Sequence, residues 1–410
     1  MVDDKMNENI NNKQERKIFS TAETILLVIM SSLIGLSIGL LFKQNNIADS
    51  KETETDKNLK EFIKNYNYII DNYYEEVDKE DLINNAIAGM MESLDDPHSV
   101  YFDETETDNF TISLNGSYEG VGIQILKDEE SGNMLITSIF KDSPAAKSGL
   151  LPGDVVVSID DSMAKDLSAS EFSSIIRNGT KTSYKLKVLR DEEEIEITLN
   201  KSLVTLASVA SEIIEEDNKK IGYIYIGIFA NNTYSQFKEE LEKLEKENID
   251  ALIIDVRGNT GGHLTTVDGI LDIFLNKNQI MYQFEQSGKV TSTYGSGTDN
   301  KKYNVVLLGD EVSASASEVL IAGLRENLGS IFIGKKTYGK GTVQELMTLS
   351  NGTQYKITVK KWLTPKGNWI NDSEGLTPDI EVELDKKYYE TYDNEDDTQL
   401  QKAIEYIKEK

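Results

Sequence analysis

The sequence contains no cysteine. That excludes disulfides and thiolate metal sites. Histidine is nearly as scarce, with His98 and His263 the only two in 410 residues, too few for a histidine-rich metal site. Positive charge is also short: 43 Lys and Arg against 71 Asp and Glu leave a formal net charge of −28. Binding to nucleic acid needs clustered Lys and Arg, so no nucleic-acid partner is expected. No metal and no cofactor is called for. A chain of this length has room for two or three domains.

Charge is missing altogether from Thr24 to Phe42, TILLVIMSSLIGLSIGLLF. As a helix this run spans about 28 Å, close to the thickness of a bilayer's hydrocarbon core. It exceeds a signal-peptide core, and no clear A-x-A cleavage site follows it. The expectation is a retained single-pass signal anchor, with a cytoplasmic tail at 1–23 and a polar stalk at 43–58. Lys5, Lys13, Arg16 and Lys17 precede the run, and Lys43, Lys51, Lys57 and Lys60 follow it. The positive-inside count is therefore a tie, although long C-terminal domains cross largely regardless of flanking charge.

Beyond the stalk, apolar spacing alternates between helical and strand periods. Phe62, Ile63, Tyr66, Ile69, Ile70 and Tyr73 share one helical face, and LINNAIAGMMESL repeats the pattern. IGYIYIGIF (Ile221–Phe229), DALIIDV and YNVVLLGDE (Tyr303–Glu311) are strand-like, and helical patterns follow each. Such alternation predicts an α/β sheet with functional loops at strand ends. The tail, from about Lys386, is acidic and ends in a short amphipathic helix carrying Leu400, Ala403, Ile404 and Ile407. That apolar face is a candidate dimer surface.

The stretch with the most chemistry runs from Ser313 to Gln344. It opens SASASE and closes TYGKGTVQ. Ser315 stands at a strand-to-helix junction, where free N–H groups and the helix dipole favour negative charge. By position alone such a serine is an N-cap, and Lys340 a solvated loop lysine. Gly334, Gly339 and Lys340 nearly spell a phosphate loop, but Gly341 stands where Ser or Thr should hold magnesium. A hydroxyl and a lysine together compose a different device. Serine is a poor nucleophile until a base takes its proton. Lysine, with an ordinary pKa of about 10.4, becomes such a base only when burial lowers it to about 7–8. A neutral amide such as Gln344 holds the amine without stabilising ammonium.

SASASE with GKGTVQ resembles the catalytic signature of the carboxyl-terminal processing proteases, serine proteases with an embedded PDZ domain. Matched residue by residue, the resemblance makes Ser315 the nucleophile, Lys340 the general base and Gln344 the residue that orients it. It covers Leu59 to Pro378. DDPHSVYF (Asp95–Phe102) resembles the element preceding the PDZ domain, with His98 where Tyr is common; capping and turn chemistry is its simplest role. YEGVGIQI resembles a carboxylate-binding loop, making Gly120, Val121, Gly122 and Ile123 peptide-binding, with SPAAKSGLLPGDVVVSID and the helix LSASEFSSIIRN beyond it. RGNTGG resembles the family's R-x-N-x-GG element, so an N–H of Gly261 or Gly262 joins that of Ala316 as an oxyanion hole.

The implied architecture is an α/β, crotonase/ClpP-like protease core (201–385) with an inserted β-rich PDZ domain (113–200). It is preceded by a helical region (59–112) and followed by the acidic tail and helix (386–410). The implied function is a membrane-anchored, extracytoplasmic serine endopeptidase acting at or near substrate C-termini. Its partners are proteins or peptides with free C-termini, and a homodimer is possible. Three other readings compete: a PDZ-type binding protein with an inert core, an acyl-CoA enzyme of the crotonase kind, and a Ser–His site built from His263 and Asp268.

Overall fold

The computed structural model describes residues 53–128, 131–297, 301, 303–371 and 374–410. The expected anchor at Thr24–Phe42, the tail before it and most of the stalk lie outside the described residues. Among the described residues no helix is long and apolar enough to cross a membrane. The chain divides into two units, one ending at Asn85 and one spanning Ala86–Lys410.

In the first unit, helix α1 (Glu54–Asn72) starts five residues earlier than the apolar pattern predicts. Thr53 accounts for this. Its side chain accepts from the Asp56 N–H while Asp56 reaches back to the Thr53 N–H, a capping box that satisfies two otherwise unpaired donors. None of α1's residues is buried, and Leu59, Phe62, Ile63 and Ile69 are exposed. Helix α2 (Lys79–Glu92) follows and runs across the boundary into the second unit.

The second unit holds two bodies of secondary structure. Strand β1 (Val100–Phe102) and helix α3 (Glu104–Asn115) lead into β2 (Ser117–Gly120). A β-rich module then runs through β3 (Ile123–Lys127), β4 (Met134–Ile139), α4 (Pro144–Ser148), β5 (Val155–Ile159), β6 (Ser162–Met163), α5 (Ala169–Arg177), β7 (Ser183–Arg190) and β8 (Glu193–Asn200). Its sheet order is β3-β4-β5-β7-β8, with β6 paired to β5. Tyr184, Leu186 and Val188 alternate inward from β7, and Asp191 and Glu192 both take positive φ in the two-residue turn to β8. Met134, Ile136, Phe172, Leu186 and Leu199 form the module's own core. The chain leaves along β9 (Ser202–Thr205), antiparallel to β2, with Gly120 opposite Ser202.

The remaining elements are β10 (Val209–Glu216), β11 (Lys219–Ile226), α6 (Thr233–Lys246), β12 (Ala251–Asp255), α7 (Leu264–Phe274), β13 (Ile280–Gln286), β14 (Lys289–Tyr294), β15 (Asn304–Gly309), α8 (Ala316–Leu328), β16 (Ile331–Gly334), β17 (Thr342–Thr348), β18 (Gln354–Leu363), β19 (Ile380–Glu381), α9 (Tyr388–Thr391) and α10 (Thr398–Lys408). The main sheet has the order β10-β11-β12-β15-β16-β19 and is parallel except between β10 and β11. The mixed α/β architecture predicted from alternation is therefore present. Its central strands are apolar on both sides, and every residue of β12 is buried, as a sheet covered on two faces requires. One face packs on residues of α6, α7 and α8. The other is covered by α10, through Leu400, Ala403, Ile404 and Ile407. The tail face read as a dimer surface is thus occupied within the chain. A second, antiparallel sheet, β1-β18-β13-β14 with β17 on β18, lies beside it and carries the loop of Lys340 at its edge.

Candidate active site

Three serines alternate in SASAS, and only the middle one is partly exposed. Ser313 and Ser317 are fully buried. Ser313 Oγ donates to the Val256 carbonyl at 2.8 Å, and Ser317 Oγ donates to the Asn259 carbonyl at 2.8 Å. The outer serines therefore stitch their loop to the Arg257–Gly262 loop. Ser315 is left between them at the head of α8, with φ 55° and ψ −113°. That conformation is strained for a non-glycine residue, by about 1–3 kcal/mol, and persists only where the surroundings impose it.

The imposing group is Glu318, fully buried on the first turn of α8. Its Oε2 accepts from the Ser315 N–H at 2.7 Å and the Lys340 N–H at 3.0 Å. Its Oε1 accepts from the Thr337 hydroxyl at 2.6 Å and the Gly339 N–H at 2.8 Å. Burial pushes the Glu318 carboxyl above its ordinary range, while these four donors work in the opposite direction. One oxygen atom thus holds the backbones of Ser315 and Lys340.

Lys340 is partly buried, and its amine makes no hydrogen bond or ion pair among the described residues. Burial, reinforced by the charge of Lys356, lowers it to about 8, with Asp96 and Glu318 opposing. Gln344 stands in the same partly buried region. Its Nε2 donates to the hydroxyls of Thr342 and Thr358, each at 3.0 Å, so Oε1 is the end left for a donor. Asp96 completes the surround. It accepts from Ser99 Oγ at 2.6 Å and the His98 N–H at 3.0 Å, and Ser99 accepts from the Thr358 N–H at 3.0 Å. Burial opposes ionisation of Asp96, but these donors prevail and its pKa falls. The turn role expected around Pro97 is present, and the His98 ring lies 6.4 Å from that of Tyr338.

Gly261 and Gly262 take φ of 110° and 142°, conformations that exclude a side chain. A Cβ on Gly261 would lie 3.0 Å from the Ser315 Cβ and 3.1 Å from the Ala316 nitrogen, so this loop abuts the serine. The two glycines are not equivalent. The Gly261 N–H donates to Asn259 Oδ1 at 2.8 Å, so of the two candidates Gly262 is the one left open. Those of Gly262 and Ala316 make no hydrogen bond among the described residues.

Family descriptions match three stretches of the chain: peptidase family S41 over residues 220–382, the activating protease CtpB N-terminal domain over 39–107, and a PDZ domain over 120–200. The carboxy-terminal processing protease CtpB of Bacillus subtilis (strain 168) is 37% identical over 334 residues, covering 81% of this chain and 69% of that protein. The chain belongs to the carboxyl-terminal processing proteases of family S41. Carboxy-terminal processing protease CtpA of the same strain is 32% identical over 377 residues, covering 91% of this chain and 78% of its own. Among solved structures, a photosystem II D1 C-terminal processing protease aligns with a TM-score of 0.47 and 23% identity, over 78% of this chain and 86% of that one. This processing protease is a serine-type peptidase with a PDZ domain. The inert-module and acyl-CoA readings fall accordingly.

The Ser–His arrangement finds no geometry. The His263 imidazole bonds the Leu114 backbone, and its Nε2 is buried without a partner among the described residues. Burial lowers its pKa. Asp268, raised by burial, is bonded to Tyr282.

In the PDZ domain, Gly120, Val121, Gly122 and Ile123 line one end of a cleft of about 200 Å³ between β3 and α5, with Phe140, Phe172 and Ile176. The Tyr118 hydroxyl lies against the Gly122 N–H, and burial raises its pKa. At the start of the glycine loop, Arg257 bonds Asp255, Asp397 and Gln399. Asp255 and Asp397 are each 1% exposed. Sequence reasoning missed Glu318, Asp96, Lys356, Thr358 and this Arg257 cluster. Only Glu318 left a signal, its position three residues after Ser315 matching a capping box.

Proposed function

We propose that this protease cleaves proteins at or near their C-termini with Ser315 as nucleophile and Lys340 as general base. The observation that carries the reading is the Glu318 carboxylate, which binds the backbone N–H of both residues through one oxygen. An amine lowered to about 8 is neutral in roughly a tenth of molecules at pH 7 and takes the Ser315 proton as Oγ attacks the substrate carbonyl. The developing oxyanion accepts from the Gly262 and Ala316 N–H groups. The amine then returns its proton to the leaving nitrogen, and water hydrolyses the acyl-enzyme with the same base. Gln344 orients the amine through Oε1, its Nε2 being held by two threonines.

The PDZ cleft receives the substrate's free C-terminus as a strand beside β3, the carboxylate displacing the Tyr118 hydroxyl from the Gly122 N–H. One experiment tests both halves. A fluorophosphonate should label Ser315 of the purified chain, and a peptide with a free apolar C-terminus should change the labelling rate while its amide does not. Labelling elsewhere removes the nucleophile, and equal effects of acid and amide remove the carboxylate role.

Thr24–Phe42 is proposed to stay on the mature protein as a single-pass anchor, with Leu59 onward outside the cytoplasm. Protease shaving of intact cells should digest the PDZ domain. Its full protection, or a mature N-terminus beyond Phe42, contradicts the proposal.

A further inference from the structure

Strand β18 carries three lysines close together: Lys356, Lys360 and Lys361. Two are matched with carboxylates, Lys360 with Glu345 at 3.2 Å and Lys361 with Glu285 at 3.5 Å. Lys356 forms no ion pair among the described residues, although it is half-buried. Leaving a cation without a counterion in such a place is unfavourable unless something else stabilises it. Here the rings of Phe102 and Phe110 do so. They stack 4.8 Å apart, and the Lys356 Nζ lies 5.3 Å and 5.5 Å from their centroids.

The cage also fixes where the charge points. Lys356 is opposite Val100 on β1 and Leu346 on β17. Two residues along the same strand, Thr358 pairs with Gln344, and its hydroxyl accepts from the Gln344 amide. Residues two apart share a face of a strand. Lys356 and Thr358 therefore face the same side as the Gln344 amide, four residues after Lys340, and the Lys356 charge is felt at the Lys340 amine. The charged or titratable groups facing Lys340 are Glu318 from α8, Asp96 and His98 from the turn before β1, and Lys356 from β18. Asp96 attracts both lysines, but Ser99 and the His98 N–H already occupy its oxygens.

We infer that Lys356 is a positioning residue for the reaction, its caged charge acting on Lys340 to favour the neutral amine that accepts the serine proton. This rests on the reading of Lys340 as the base. Two cations close together in a half-buried region repel, and the one that can lose its proton at least cost does so. Burial and the charge of Lys356 together bring Lys340 to about 8. With the neighbouring charge gone, the Lys340 amine holds its proton to higher pH, and the active form appears later as pH rises.

The test is the rate at which a fluorophosphonate modifies Ser315 in the full chain, followed from about pH 6 to pH 10. In Lys356→Met, which keeps an apolar stem between the rings, the acid limb should move to higher pH by roughly half a unit or more. That reads as a loss of about threefold at pH 7 that fades toward pH 10. Lys356→Gln should show the same shift, and Lys356→Arg, which keeps the charge, should leave the limb near its wild-type place. An equal loss at every pH in the Met and Gln variants would mean that Lys356 only fills space, and the inference fails. An unmoved limb in both also overturns it. A Lys340→Ala protein that reacts with the wild-type pH profile removes the base itself, and the inference with it.

Discussion

Lys340→Ala is expected to cut kcat by about 10²–10⁴, the contribution of general-base catalysis, and to be as damaging as Ser315→Ala. The reason lies in how the two residues are held. Ser315 is fixed by a strained backbone and Lys340 by a loop, and both N–H groups meet on the same Glu318 oxygen. On the proposed mechanism they act as one device, so the double variant Ser315→Ala, Lys340→Ala should be little worse than either single one. Lys340→Arg should fail as well, because guanidinium does not lose its proton at working pH. His263→Ala should keep most activity, since its ring is turned to the Leu114 backbone. If Lys340, lowered to about 8, is the base as proposed, wild-type activity should rise with pH through about 8. The assay is cleavage of an unfolded protein, with circular dichroism confirming each fold. Near-normal kcat in folded Lys340→Ala alongside an inactive His263→Ala would falsify the dyad.

Asp397→Ala should destabilise the fold by about 3–5 kcal/mol, the typical cost of stripping one partner from a buried ion pair. Asp397 caps α10 through the Leu400 N–H at 2.9 Å and binds Arg257 through both oxygens, at 2.9 Å and 2.8 Å. Arg257 is 11% exposed at its side chain, and its only other carboxylate among the described residues is Asp255. Burial disfavours its charge, but the two carboxylates prevail and hold its pKa above the ordinary value. Removing Asp397 leaves an undercompensated cation and an uncapped helix. Arg257 also begins the loop that ends at Gly261 and Gly262, so kcat should fall in molecules that remain folded. Urea unfolding measures the first effect, and an unchanged midpoint would show that the cluster contributes nothing.

What was legible in the sequence was what lies close together along it. Ser315, Lys340 and Gln344 fall within thirty residues on one helix–strand–strand passage, short enough for a family motif to group them where position alone does not. The alternation that set the α/β sheet is likewise a local signal. Asp96, Lys356 and Thr358 were not legible, because the pairing of β1 with β18 brings them together from opposite ends of the second unit. The tail helix is legible from its apolar stripe, but the stripe offers a dimer face as readily as an internal one. A stripe tells that a face is covered, not which sheet covers it. Which of the two glycines is open stays undecided in the sequence for a finer reason. Which N–H is open depends on the Asn259 side chain, and spacing carries no record of that rotamer.

The two-stranded ribbon of β2 and β9 sets the chain's entry to the PDZ domain beside its exit, Gly120 facing Ser202 across roughly 5 Å. Everything between them forms its own core and returns the chain to where it left. Such a module can be exchanged by recombination without altering the spacing of the protease around it. On the proposed reading, in which this module takes substrate C-termini, the preference for chain ends belongs to a segment that leaves and rejoins the protease at one place, apart from Ser315 and Lys340.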